Sequence, residues 1–128
     1  MREFDYDNQA IVDIVNQIII DAVSKSASDI HCDPTEKMLK VRFRIDGELV
    51  DYTLVPEVVK KNLTTRIKII SGMNITESRL PQDGAIKATL QGIDLDLRVS
   101  ALPTMLSAEA AEKIVIRILD YTMSSQGL

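Results

Sequence analysis

The amino-acid sequence predicts an α+β fold, with a mainly antiparallel sheet and helices on one face of that sheet. Several segments alternate apolar and polar residues, as a strand with one buried face does, and short turns connect most of them. Two other segments repeat their apolar residues every three or four positions, which is typical of an amphipathic helix. Short turns favour antiparallel pairing over repeated βαβ units.

The first helix follows Asp7 or Asn8, since either side chain is suited to cap a helix. Its buried face is predicted from residues at helical spacing, namely Ile11, Ile14, Val15, Ile18 and Ala22, widened by Ile19 and Val23. A short strand that ends at Pro34 comes next. In this strand apolar and polar residues alternate, with Ile30 and Cys32 set against Asp29, His31 and Asp33.

The clearest strand runs from Leu39 to Ile45, and Asp46-Gly47 then predicts a tight turn, because glycine accepts the positive φ that such a turn requires. Residues 48–54 should therefore return antiparallel to it. Pro56 opens the second helix, which should stop near Gly72. The surface of this helix is expected to be basic through four residues, Lys60, Lys61, Arg66 and Lys68.

A structured loop is predicted from Asn74 to Asp83, because the periodicity lapses there around Pro81. A second hairpin follows, with residues 86–90 and 95–99 as its strands and Gln91-Gly92 as its turn. The last strand is predicted from the alternation of Ile114, Ile116 and Ile118 with their neighbours, and the tail from residue 122 to 128 has no pattern.

Composition narrows the possible functions. The chain has 128 residues, 45% of them apolar, which suits one domain with a single packed core. With 15 basic and 19 acidic residues its net charge is −4, so nucleic acid is not an expected partner, because binding a phosphate backbone needs a basic surface. A single cysteine and the lack of a leader or a long apolar run favour a cytoplasmic protein without direct membrane insertion.

Few residues in the sequence are suited to catalysis, metal binding or nucleotide binding. His31, Cys32 and Asp33 are neighbours in a strand and so cannot all face one metal ion, and we predict no metal site. Instead, His31 should hydrogen-bond to Asp29 or Asp33 on the polar face, and Cys32 should be a small buried side chain. The five glycines are isolated and none begins a phosphate-binding loop, so tight ATP binding by this chain alone is not expected.

Arginines on the polar faces of predicted strands are the more informative feature. The four that lie opposite the core are Arg42, Arg44, Arg98 and Arg117. A further one, Arg79, lies in the loop before Pro81. The planar guanidinium group suits phosphate binding and can offset charge during phosphoryl transfer. The alternative is that each arginine pairs with a nearby carboxylate, such as Asp94 or Asp96 beside Arg98, and composition alone favours this solvated face.

Three stretches carry a resemblance to a known family: residues 26–31 (Ser-Ala-Ser-Asp-Ile-His), 41–47 (Val-Arg-Phe-Arg-Ile-Asp-Gly) and 79–84 (Arg-Leu-Pro-Gln-Asp-Gly). The resemblance continues through residues 66–68, 96–100 and 103–104 to 112–119, and so covers nearly the whole chain. Together these motifs resemble the second N-terminal domain of the type II secretion and type IV pilus assembly ATPases.

This resemblance implies a PAS-like domain that precedes a RecA-like domain, which holds the phosphate-binding loop. It also implies a cytoplasmic homo-hexamer that uses ATP and Mg²⁺ to drive assembly of a pilus or pseudopilus, at inner-membrane platform proteins. By the same resemblance, Arg98 and Arg117 are the catalytic arginines that reach ATP on the RecA-like domain of the same or a neighbouring subunit. Arg79 is a third candidate, for nucleotide binding.

Two stretches depart from the family pattern. Ala85 stands where the family usually has arginine after Pro-Gln-Asp-Gly, so no basic role carries over to this position. The loop at residues 106–111 is longer than usual and lacks a final glycine, which bears on the direction in which Arg117 points. The competing hypothesis is a stand-alone PAS-like module that binds a ligand or acts as a scaffold, without a role in hydrolysis.

Overall fold

The computed structural model of the chain describes residues 1–105 and 111–123. Two helices and six strands follow one another in the order α1 (Ile11–Ser24), β1 (Asp29–Pro34), β2 (Met38–Ile45), β3 (Glu48–Pro56), α2 (Glu57–Ile70), β4 (Gln82–Leu90), β5 (Ile93–Pro103) and β6 (Glu112–Met123). Both helices share one hydrophobic cluster with alternate residues of the strands, so the helices cover one face of the sheet. The predicted α+β fold is confirmed.

All six strands form a single sheet in the order β3-β2-β1-β6-β5-β4, and every pairing is antiparallel. Strands β1 and β6 occupy the centre, whereas β3 and β4 are the edges. Both predicted hairpin turns are confirmed: φ is 52° and 83° at Asp46 and Gly47, and 50° and 76° at Gln91 and Gly92. Two successive positive φ values characterise the two-residue turn that fits the twist of a hairpin.

The predicted cap of α1 is wrong. This helix starts after Ala10, which provides no side-chain cap. Asp7 and Asn8 belong to a separate turn, in which the carboxylate of Asp5 accepts hydrogen bonds from both of their backbone amides at 3.2 Å. The predicted buried face is confirmed, because six of its seven residues are buried and the seventh, Ile11, is partly buried against the cluster.

The second helix is less basic on its surface than the sequence predicts. Pro56 is its N-cap residue and Ser71 its C-cap residue, with Gly72 at a φ of 81° immediately after, so the predicted bounds hold within a residue. However, Lys60 and Lys68 are buried, with 8% and 2% of their surface exposed. Their long apolar stems pack inside while each ammonium group finds an oxygen partner, which a helical pattern does not reveal.

Strand β4 begins at Gln82, four residues before the predicted start, so part of the predicted loop is strand. Gly84 lies against the chain after α2: a Cβ atom there would be only 2.2 Å from the backbone oxygen of Ser71. The next amide, that of Ala85, donates to the same oxygen at 3.2 Å. The Pro-Gln-Asp-Gly stretch therefore needs its glycine for close contact between two backbones.

Strand β6 extends to Met123 and so includes two residues of the predicted tail. The rest of that tail, residues 124–128, and the loop residues 106–110 lie outside the described residues. Within the described ranges, neither helix is long and apolar enough to cross a membrane.

Phe43 offers a test of the strand orientation on which the whole sheet depends. It is 1% exposed and stacks on Tyr52, with ring centroids 4.2 Å apart. We expect Phe43→Ala to lower the free energy of unfolding by about 3–5 kcal/mol, because it removes a fully buried ring. Denaturant unfolding measures this, and Val58→Ala, at a position 83% exposed on α2, is the control that should change little. A loss below about 1 kcal/mol for Phe43→Ala would contradict the orientation of β2.

Candidate functional site

The face of the sheet that the helices leave uncovered, here called the open face, carries four of the predicted arginines. Adjacent strands place four charged residues side by side across this face, because each is the Cα partner of the next. The row they form, here called the arginine row, is Arg44, Asp29, Arg117 and Arg98, from β2, β1, β6 and β5. The strand register therefore brings together residues far apart in sequence.

Arg98 and Arg117 are direct cross-strand partners in this row. Side chains at such positions start about 5 Å apart at their Cβ atoms, and like charges there destabilise the sheet. Both side chains are exposed. Nη1 of Arg98 lies 3.5 Å from Oδ1 of Asp96, a long contact, and no described residue makes a hydrogen bond or ion pair with Arg117. The pair thus presents positive charge that the described residues hardly neutralise.

The other two arginines of the open face are neutralised. Nη2 of Arg42 lies 2.7 Å from Oδ2 of Asp33, and Nε of Arg44 lies 3.3 Å from Oδ2 of Asp29. Arg44 also donates to the backbone oxygen of Gly47 at 3.0 Å. The salt-bridging interpretation of these arginines is therefore correct for Arg42 and Arg44, and for Arg98 through its longer 3.5 Å contact with Asp96. It does not describe Arg117, which has no such contact with any described residue.

Asp29 is the carboxylate that could have neutralised Arg117, its Cα partner on β6. Instead, it accepts a hydrogen bond from the Ser28 hydroxyl at 2.6 Å and contacts Nε2 of His31 and Nε of Arg44. Burial raises the pKa of Asp29, but the hydrogen bonds from Ser28 and His31 and the positive charge of Arg44 outweigh it, so its pKa lies below the ordinary value. Asp29 is therefore charged at neutral pH, and its contacts are with Ser28, His31 and Arg44 rather than with Arg117.

His31 is placed as predicted, on the polar side of β1 and hydrogen-bonded to Asp29. Its side chain is 11% exposed, and Nδ1 is buried without a hydrogen-bond partner. Cys32 faces the opposite way, into the core, where burial raises the pKa of its thiol to about 12. A thiol with that pKa is protonated at neutral pH and is a poor nucleophile. Across the described ranges no group of three His, Cys, Asp or Glu side chains could hold a metal ion.

Arg79 is not part of the arginine row. It is exposed in the segment before β4, where its backbone amide donates to Oε2 of Glu77 at 2.7 Å. Strand β4 begins opposite Ala101, three residues along β5 from Arg98. No hydrogen bond or ion pair among the described residues joins the guanidinium group of Arg79 to Arg98 or Arg117.

Ala85 lies directly opposite Arg98, on the far side from Arg117. The departure from the family pattern therefore falls at the end of the arginine row, where a small side chain leaves space beside Arg98. The other departure falls mostly on residues 106–110, outside the described residues, so the described structure does not show its effect on Arg117.

A buried ion pair supports the strand that carries Arg117, and sequence reasoning missed it. Nζ of Lys68 on α2 lies 2.7 Å from Oε1 of Glu112 at the start of β6, and the two side chains are 3% and 1% exposed. Lys68 also donates to the backbone oxygen of Glu77 at 2.6 Å. The sequence did contain a signal for this burial. Glu112 precedes Ile114 and Ile116 at the two-residue spacing of one strand face, and all three side chains are buried.

Known proteins resemble this chain over almost its whole length. The family described as "Type II/IV secretion system protein" matches residues 5–127. The chain is 44% identical over 115 residues to a type IV pilus assembly ATPase PilB of Myxococcus xanthus, covering 89% of this chain and 20% of that protein. It is 46% identical over 110 residues to a type II secretion system protein E of Xanthomonas campestris, covering 86% and 19%.

A type IV pilus assembly ATPase PilB of Acinetobacter baylyi is 42% identical over 123 residues, covering 95% of this chain and 21% of that protein. The chain thus spans about a fifth of the length of these relatives.

The position of Asp29 between two arginines predicts a pH dependence of stability. Because its pKa is lower in the folded chain, the charged carboxylate stabilises the fold above its unfolded pKa of about 4, and this contribution is lost as pH falls through the folded pKa. We expect Asp29→Asn to be less stable than the parent at pH 7. Its free energy of unfolding should also decline less between about pH 5 and pH 2.

Denaturant unfolding at a series of pH values measures the difference. The matched control is Asp46→Asn, since Asp46 is exposed in a turn at a φ of 52° that asparagine adopts easily. Equal acid dependence in Asp29→Asn and the parent would contradict the account of Asp29.

Proposed function

Because the chain belongs to the type II/IV secretion system protein family, we propose that it is an N-terminal domain of an ATPase that powers type IV pilus assembly or type II secretion. In this role it does not hydrolyse ATP itself. It contributes Arg98 and Arg117 to the phosphates of ATP, which is held by a RecA-like domain of the same or a neighbouring subunit in a hexamer. The names of the relatives support a role in pilus assembly or secretion. The chain matches only about a fifth of each relative, which supports its assignment as one domain of a larger protein.

The observation that carries this proposal is the direct pairing of Arg98 with Arg117 on the open face. Two guanidinium groups side by side repel each other, and that repulsion falls when an anion with several oxygens lies between them. The fork of donors on each guanidinium group fits the oxygens of a phosphate chain. Since Asp29 is held by its other partners, it does not compete with such an anion for Arg117.

In the full-length protein, ATP supplies the phosphoryl group, and Mg²⁺ neutralises part of its charge. Arg98 and Arg117 would bind phosphate oxygens most strongly as negative charge develops there during transfer. Ala85 gives the space beside Arg98 in which a phosphate group can approach from the edge of the sheet. The ion pair of Lys68 with Glu112 would fix the start of β6 and hence the direction of Arg117.

This chain does not have what ATP hydrolysis requires on its own. None of its five glycines belongs to a phosphate-binding loop with the lysine and hydroxyl residue that such a loop ends in. We propose that the RecA-like domain of the full-length protein supplies that loop. We also propose that conformational changes driven by ATP hydrolysis act on inner-membrane platform proteins at the cytoplasmic face of the membrane. Arg79 remains a proposed third nucleotide contact, which would require its exposed segment to turn toward the row.

We predict that the isolated chain shows no steady ATP hydrolysis and binds Mg-ATP weakly, because two exposed arginines provide charge without a backbone cradle. Calorimetric titration measures the binding, and phosphate release measures the activity. Tripolyphosphate should bind about as weakly as ATP, since only phosphate is recognised. Tight binding with continued phosphate release, retained through successive purification steps, would refute the proposed division of labour.

In the full-length protein of which this chain is proposed to be a domain, Arg98→Ala and Arg117→Ala should each lower the turnover of ATP about a hundredfold or more. Nucleotide affinity should change less, because the contact is strongest in the transition state. Lysine at either position should rescue poorly, since it keeps the charge but loses the planar fork.

The matched control is Arg42→Ala, on the same face but already paired with Asp33. Steady-state hydrolysis is measured on each purified variant, with hexamer formation checked separately. If Arg98→Ala and Arg117→Ala assemble and hydrolyse ATP like the parent, the phosphate contact is disproved, and a binding or scaffold module becomes the better description.

A further inference from the structure

Strand β4 forms one edge of the sheet, and most of that edge is open. Among the described residues β4 pairs with β5 alone. At the start of β4 the edge is closed, because Ser71 packs against Gly84 and accepts a hydrogen bond from the amide of Ala85 at 3.2 Å. From Ile86 to Leu90 no described residue forms a further backbone hydrogen bond with the outer edge of β4.

The hydrogen-bonding direction of each residue in β4 follows from the hairpin. Leu90 and Ile93 close the two-residue turn, so their backbone groups point toward each other. Backbone direction alternates along an antiparallel strand, which agrees with the outward amide of Ala85. The amide and carbonyl groups of Lys87 and Thr89 therefore point away from the sheet, as an incoming strand would require.

A cavity of about 390 Å³ lies beside this edge, on the side of the sheet that the helices cover. Its walls come from α1, α2 and β4, and most of the lining is apolar, through Ile19, Ile70, Ile86, Ala88 and Leu90. Asn16, Arg66 and Lys87 supply the polar part of the lining. The cavity and the outward backbone groups thus adjoin each other along the same few residues of β4.

Arg66 makes this cavity favourable for a negatively charged group. The residue is half-buried, its Nε atom is buried without a hydrogen-bond partner, and no described residue makes an ion pair with it. A cation that is partly removed from water without a partner costs free energy. A carboxylate that entered the cavity would recover that cost through a charge-assisted hydrogen bond.

We propose that the edge of β4 at residues 86–90 and the adjoining cavity form a docking site for an extended acidic segment of a partner protein. The segment pairs its backbone with Lys87 and Thr89 as an additional strand. One of its apolar side chains enters the cavity, and a carboxylate binds Arg66. Addition of a strand to an exposed sheet edge is a common mode of peptide recognition, in which backbone bonds give affinity and pockets give specificity.

Three observations favour a peptide over a small amphiphilic anion. The unpaired backbone groups lie at two successive outward positions, the cavity opens beside them, and β4 pairs with β5 along its whole length without a bulge. A small anion would use the cavity and Arg66 but leave the backbone groups of Lys87 and Thr89 in water.

The test begins with selection from a displayed library of random nine-residue peptides on this chain. The selected peptides should share an acidic residue near an apolar one, and amide hydrogen exchange should slow at Lys87 and Thr89 when a selected peptide binds. Arg66→Gln should weaken binding about tenfold, as expected for one lost hydrogen bond to a charged group. Lys37→Gln, which removes an exposed charge from the turn between β1 and β2, is the matched control and should bind normally.

A second pair of variants tests the backbone contact. Thr89→Pro removes one outward amide and is compatible with an edge strand, whereas Thr89→Ala keeps that amide and removes only side-chain atoms, among them the hydroxyl that contacts Asp94. We expect binding to be lost in the first and kept in the second, with thermal unfolding used to confirm that both variants fold.

Several outcomes would overturn the proposal. These are selected peptides without an acidic residue, no selected peptide at all, or equal binding by Thr89→Pro and Thr89→Ala. Octanoate that binds as well as the peptides, without protecting Lys87 and Thr89, would show that the site takes a small anion. A dimer in sedimentation that protects the same amides would show that a second copy of the chain occupies the edge.

Discussion

The register of β6 against its two neighbours is the constraint on which the rest of the structure depends. This strand lies between β1 and β5, and its Ile114 and Ile116 are buried in the core. Because side chains alternate between faces, a shift of one residue would turn Arg117 into the core and an isoleucine out of it. The hydrophobic free energy that holds the two isoleucines inside therefore also holds Arg117 beside Arg98, although neither arginine contributes to the core.

The ion pair of Lys68 with Glu112 acts on this same register. Removing two charges from water is costly, so a buried pair of this kind adds little net stability compared with apolar residues of the same size. Its effect on which register β6 adopts is larger, since any shift of β6 would separate Glu112 from Lys68 and leave the carboxylate of Glu112 without its ion-pair partner. The pair thus penalises incorrect alignments of the strand on which Arg117 lies, from a position five residues earlier in that strand.

Sequence reasoning succeeded where the signal is local. Alternation along β2 identified Phe43 as buried and Arg42 and Arg44 as outward, and the two glycine turns fixed both hairpins. It failed where distant contacts decide the outcome, as at Lys68, whose burial depends on a glutamate 44 residues away. For the candidate site, the resemblance pointed to Arg98 and Arg117 separately, but only the β5–β6 pairing places them side by side, and only the contacts of Asp29 show that it leaves Arg117 available.

Arg117 on the open face and Arg66 beside β4 both lack an ion-pair partner among the described residues, but their surroundings differ. Arg117 is exposed, so water solvates it well and binding an anion gains little at rest. A weak contact of this kind agrees with the proposed role, in which a phosphate would have to arrive and leave in every catalytic cycle. Arg66 is half-buried with an unsatisfied Nε, so a bound carboxylate would gain more there and dissociate more slowly. If both proposals hold, the same residue type would make a transient contact on one side of the sheet and a lasting one on the other, because the free energy gained depends on how much water each guanidinium group has already lost.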